Sequence, residues 1–186
     1  MSTEERILYA AMQIIGESGL KGLSASKLAE AVQISKSTVF HHFKRMDDIP
    51  ALILEKLYEE IINPVQEEHY DGVRSYLKAL GSSSFPDNEQ HILIYKAFVS
   101  LFQASMHDSQ LQEIVGSCSR QFGTSLVDKL QSLSGKALED VESLTNLIFM
   151  TLDGVGLHYL VHRDQARAQK VWDLFVDTLC RQYDFV

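Results

Sequence analysis

The chain has 186 residues, 45% of them hydrophobic, and a formal net charge of −8, enough apolar material for a core that needs no metal or disulfide support. Two cysteines, Cys118 and Cys180, are too few for a disulfide framework and lack metal-knuckle spacing, so they read as semi-buried thiols in a reducing, cytoplasmic setting. The opening "MSTEERILYAAMQIIG" is acidic and only intermittently apolar, unlike a signal peptide, and no continuous apolar run approaches the roughly 20 residues of a membrane span.

Three prolines and apolar residues recurring at helical spacing predict an all-α chain of about nine helices. Ile7, Leu8, Ala11, Ile14 and Ile15 form one stripe and Gly19 supplies a left-handed stop, which predicts helix 1 over 3–18. Ser24 or Ser26 can cap a short second helix containing Leu28, Ala29 and Val32. Ser35 can cap a third containing Val39 and Phe43, the two meeting at Gln33-Ile34. Asp47, Asp48 and Pro50 mark the start of a long fourth helix, because carboxylates suit the positive helix end and proline its first turn. Its stripe runs through Leu52, Ile53, Leu57, Ile61 and Val65, with a kink or end at Pro64.

A fifth helix is expected over 72–81, before a polar turn, "GSSSFPDNE". Residues 88–106 are apolar around most of a helix and so buried on several sides. Asp108 or Ser109 can cap a helix over 110–133 that Gly135 ends. Two more are expected over 137–162 and 165–183, the last capped by Asp164.

Charge is uneven along the chain. Residues 1–50 hold six Lys/Arg and six Asp/Glu, leaving eleven against nineteen for the remainder. Between Lys21 and Arg45 five basic residues face one acid, Glu30, a local excess suited to phosphates. Within it, "ISKSTVFHHFKRMDD" gathers basic and aromatic side chains in one short stretch.

The run "RILYAAMQIIGESGLKGLSASKLAEAVQISKSTVFHHFKRMDDI" resembles the N-terminal domain of the TetR family of transcriptional regulators. It matches helix 1, a glycine, an "LA" helix 2, a tight turn and a "SKGTLYHHF"-like recognition helix leading into helix 4. The resemblance implies a helix-turn-helix DNA-binding domain over 1–46 and a helical ligand-sensing and dimerisation domain over 47–186. A helix-turn-helix must bury Leu28, Ala29, Ile34, Val39 and Phe43 so that helix 3 is held rigidly while its other face enters the major groove. Ser35 then caps helix 3 and leaves Lys36 at its exposed start, where lysine can read guanine acceptors and the helix end favours phosphate. By resemblance, Ser37, Phe40 and His41 look like base-edge or thymine-methyl contacts. Thr38, His42 and Lys44 look like backbone contacts, joined by Ser24 and Ser26. Three positions depart from the family pattern: Gln33 stands where the turn usually has glycine, Phe40 replaces tyrosine, and Met46 replaces a lysine. They imply a strained or altered turn, one lost hydroxyl and a shallower salt dependence.

The resemblance further implies a homodimer joined through helices 8 and 9, acting on a double-stranded, near-palindromic operator, most commonly as a repressor. Leu147, Met150, Thr151, Gly154 and Leu157 can form one interface stripe, and Trp172, Phe175, Val176 and Leu179 another. A small-molecule effector would sit within helices 5 to 8, where Tyr76, Phe98, Phe102, Met106, Phe122 and Phe149 offer an apolar lining beside Tyr95, Gln103 and His158. Few lysines or arginines fall among them, which favours a hydrophobic or amphipathic ligand. No cofactor, metal or membrane is expected. His158 and His162, four apart, with Glu67-Glu68-His69 or Glu139 and Glu142, lack the paired Glu-x-x-His repeats of a helical di-iron enzyme. The rival reading is a TetR-like adaptor that works through protein contacts with weak or no specific DNA binding.

Overall fold

The computed structural model describes residues 1–61, 65, 68–85, 87–135 and 137–185, the side chains of residues 58–61 excepted. Among them the regular structure is entirely helical: α1 Thr3–Ser18, α2 Ala25–Val32, α3 Lys36–His42, α4 Asp48–Ile61, α5 Val73–Ser84, α6 Glu89–Ser105, α7 Ser109–Ser134, α8 Val141–His162 and α9 Gln165–Gln182, with a 3-10 turn at Leu20–Gly22. The chain divides into two units, Met1–Tyr58 with Asn88–Cys118 and Glu59–Asp87 with Ser119–Val186. The predicted kink at Pro64, the side chain of Ile61, and the residues Glu67 and Pro86 lie outside the described residues.

In the first unit, α1 begins in a reciprocal cap. The Ser2 hydroxyl accepts from the Glu5 amide at 3.2 Å and the Glu5 carboxylate accepts from the Ser2 amide at 2.6 Å, satisfying two donors that a helix start leaves orphaned. That bonding to Ser2 holds the Glu5 carboxyl below its ordinary range. Ile7, Ala11, Met12 and Ile15 are fully buried, the three larger side chains each worth roughly 1.5–3 kcal/mol of transfer energy. Met12 thus takes a place in the stripe where Ile14 is only half-buried. The helix stops at Gly19, whose φ of 70° is the expected positive value but whose ψ of 175° is extended rather than helical. α1 lies against α6 so closely that a Cβ on Gly16 would sit 2.3 Å from the Leu93 carbonyl oxygen.

The α4 stripe differs from expectation. Ile49, Ile53, Leu54 and Leu57 are fully buried, while Leu52 points outward at 36% exposure. A face built on 49, 53 and 57 has regular four-residue spacing, and Leu52 falls off it.

In the second unit α5 packs against α8 and α9. The Trp172 indole, wholly buried, donates to the Leu77 carbonyl at 2.7 Å and lies over Gly81. Arg74 pairs with Asp177, and the Gln165 side-chain Nε2 donates to the Phe85 carbonyl at 2.8 Å. α5 runs to Ser84, three residues past the predicted end, because the hydroxyls of Ser82, Ser83 and Ser84 bond back to the carbonyls of Lys78 and Leu80. Serines that read as a turn are satisfied inside the helix. α7, which begins in the first unit, is capped by Asp108, whose carboxylate accepts from the amides of Gln110 and Leu111. α8 starts at Val141, four residues later than predicted, after Asp140 at φ 49°. A two-residue link, Arg163 at φ 57° and Asp164, then turns the chain into α9, and Asp164 caps it by accepting from the Arg167 amide at 2.9 Å.

By length and mean hydropathy α8 could cross a membrane. Its apolar residues divide instead between a buried face, Leu144, Ile148, Leu152 and Tyr159, and an exposed one. Cys118 and Cys180 are both buried free thiols, and burial pushes each thiol up from its ordinary range.

Candidate nucleic-acid interface and sensor residues

α2 and α3 form the helix-turn-helix. Ser24 caps α2, its hydroxyl accepting from the Lys27 amide at 3.3 Å; Ser26, the alternative, is exposed within the first turn. The Arg6 guanidinium donates to the Val32 carbonyl at 2.8 Å, tying α1 to the end of α2. There the turn passes through Gln33 at φ 58° and ψ 47°, the left-handed region, and the Ile34 amide returns to the Ala29 carbonyl at 2.9 Å. Gln33 thus takes a conformation that glycine adopts more readily.

Ser35 caps α3. Its hydroxyl accepts from the Thr38 amide at 3.1 Å and lies 2.7 Å from the Ser37 hydroxyl and 2.8 Å from that of Thr38. Leu28, Ala29, Val32, Val39 and Phe43 are buried, whereas Ile34 is only half-buried. These anchors fix which face of α3 is left outside. Lys36, Ser37, His41 and Lys44 are exposed, Thr38 and His42 are half-buried, and Phe40 is 46% exposed, a large aromatic standing in solvent. The His41 and His42 rings meet edge to face at 5.6 Å. Arg45 is held at 3.2 Å by Asp47 on the surface, which offsets its charge locally.

The nine residues assigned to an effector lining fall in both units. In the first, Tyr95, Phe98 and Phe102 form a ladder along α6 with centroid spacings of 6.2 and 6.1 Å, while Gln103 and Met106 point to solvent, Met106 at 65% exposure. In the second, Tyr76 is fully buried with its ring 5.3 Å from that of Tyr70, whose phenol is pushed up to about 12 by burial and by its bond to Glu68. Phe122 and Phe149 meet at 5.2 Å between α7 and α8. His158 stands apart from them. It is exposed, its ring stacked 5.9 Å from that of His162, in an open groove of about 420 Å³ that also touches Thr151, Gly154, Asp164, Arg167 and Val171. Among the described residues no three His, Cys, Asp or Glu side chains gather into a metal-binding group.

The two stripes assigned to a dimer surface part company. Leu147, Met150 and Leu157 on α8 are exposed, Met150 at 70%, with Gly154 exposed and Thr151 half-buried beside them. Trp172, Val176 and Leu179 instead belong to the core of their own unit, and Phe175 is half-buried with its ring 5.2 Å from that of Trp172. The outward apolar residues of α9 are Val171 and Leu174. Periodicity marks an apolar face but not whether its partner is the same chain or another, so the buried face of α9 was the more conspicuous in the sequence.

Residues 7–51 match the family model described as bacterial regulatory proteins, tetR family. The HTH-type transcriptional regulator BetI of Burkholderia ambifaria is 22% identical over 112 residues, 59% of this chain and 58% of that relative. The BetI regulator of Vibrio parahaemolyticus is 22% identical over 184 residues, 97% of this chain and 92% of the relative. Among solved structures, a transcriptional regulator from Rhodococcus sp. Rha1 superposes with a TM-score of 0.88 at 22% identity, covering all of both chains. A regulator from Saccharomonospora viridis in complex with choline superposes with a TM-score of 0.75 at 14% identity, covering 94% of this chain and 95% of that one.

Proposed function

We propose that the chain, whose residues 7–51 match the tetR family model, is a TetR-family regulator that works as a ligand-responsive homodimeric repressor of a near-palindromic operator. The observation that carries this reading is the two-sidedness of α3. Val39 and Phe43 lock it into the core while Ser37 and His41 stand outside on the opposite face, Phe40 on its flank and Lys36 exposed at its first turn. Lys36 offers a donor to guanine acceptors, and Phe40 an apolar surface to a thymine methyl. Thr38, His42, Lys44, Ser24 and Ser26 surround them as phosphate contacts. Residues 1–46 act as the DNA-binding domain and residues 47–186 as the sensing and dimerising domain.

The dimer forms through α8 and α9. Leu147, Met150, Gly154, Leu157 and Val161 on α8 join Val171 and Leu174 on α9 in leaving a large apolar area uncovered on one chain, as an oligomer interface requires. A small hydrophobic or amphipathic effector, held by aromatic side chains of the C-terminal helices, selects a dimer whose recognition helices no longer match the operator spacing. That one structural neighbour was solved with choline supports a small-molecule effector.

Lys36→Ala tests the reading. Its expected effect is a loss of sequence-specific DNA binding of roughly tenfold or more, consistent with one base contact, with an unchanged dimer mass by analytical ultracentrifugation. Equal binding of wild type and variant to every duplex would favour an adaptor acting through protein contacts.

A further inference from the structure

α8 contains two carboxylates, Glu142 in its first turn and Asp153 at its middle, and no lysine or arginine. Asp153 is half-buried, and among the described residues its side chain makes no hydrogen bond or ion pair. An acid so placed carries an uncompensated desolvation cost, which a cationic partner from outside the chain would offset. Burial pushes the carboxyl up to about 6, with no neighbouring charge contributing to the shift. One turn earlier on the same face is Phe149, whose ring lies 5.2 Å from that of Phe122 on α7. Aromatic faces carry negative charge density and attract cations, most strongly out of water. A lone carboxylate one turn from an aromatic pair is therefore a complementary environment for an organic cation.

We propose that Asp153, with Phe149 packed on the buried Phe122, receives the positively charged head of the effector, an amphipathic organic ammonium ion. This rests on the effector reading given above and narrows it: the same scarcity of basic side chains that disfavours an anion is indifferent to a cation, and Asp153 turns indifference into selection.

The test is calorimetric titration of the full chain at neutral pH with three probes of similar size: benzyltrimethylammonium, benzyl alcohol and benzoate. Wild type is expected to prefer the cation. Asp153→Asn should weaken it by about tenfold or more, as loss of a charged partner does, Asp153→Glu should restore most of the affinity, and benzyl alcohol binding should be unmoved. Thermal melts of each variant separate loss of binding from loss of folding. Undiminished cation binding by Asp153→Asn, or a wild-type preference for benzoate or benzyl alcohol, overturns the ammonium assignment and leaves the effector reading standing. Failure of all three probes to bind wild type overturns both.

Discussion

Gln33 holds a side chain at φ 58° and ψ 47°, a conformation that costs a non-glycine L-residue about 1–2 kcal/mol. Glycine would relieve this while adding entropy to the unfolded chain, so the net gain is smaller. Gln33→Gly is expected to raise stability by about 0.5–1 kcal/mol in urea denaturation, and unchanged or lower stability would show that the turn is not strained. Asp153 is another residue that costs stability, a half-buried acid without a partner among the described residues. Burial pushes its carboxyl up to about 6, above the ordinary range of an aspartate, so the folded state binds the proton more tightly than the unfolded one. Stability contributed by the protonated form is then fully present below about pH 4 and lost as pH rises through 6. Asp153→Asn should stabilise the ligand-free protein by about 1–3 kcal/mol at pH 7.5 and by little at pH 4. Equal effects at both pH values in paired denaturation curves would contradict the shift.

At the level of elements, much was legible in the residues. The α1 stripe with Gly19 gave its limits, and the serine caps of α2 and α3 follow from hydroxyls placed before short apolar patterns. The exposed face of α3 was likewise readable, because burying Val39 and Phe43 determines which side chains remain outside. What escaped the sequence depends on tertiary partners. Ser82 to Ser84 look like a turn until their hydroxyls find carbonyls of their own helix. Trp172 looks like an interface anchor until Gly81 opens room for it within the chain. A Cβ at Gly81 would lie 2.0 Å from the indole Cδ1. Gly→Ala inside a helix ordinarily adds roughly 0.5–1 kcal/mol, but here the ring must give way. Gly81→Ala is expected to lose about 1–3 kcal/mol by overpacking, accompanied by a change in Trp172 fluorescence; a stabilised variant would mean that the contact yields freely.

For the whole molecule, a chain with net charge −8 is proposed to meet a polyanion through α3, where Val39 and Phe43 are buried and Lys36, Ser37 and His41 are exposed. A single copy leaves exposed Leu147, Met150, Leu157, Val161, Val171 and Leu174 uncovered on α8 and α9. Pairing of those surfaces, as proposed, would give a two-fold molecule, and a two-fold protein reads a two-fold site. Selection of bound duplexes from a random DNA library, followed by anisotropy titrations of the winner and a scrambled control at two salt concentrations, tests this most directly. The account predicts a near-palindromic winner bound about 1,000-fold or more tightly than the control. No enriched sequence, with weak and equally salt-sensitive binding to both duplexes, would contradict it.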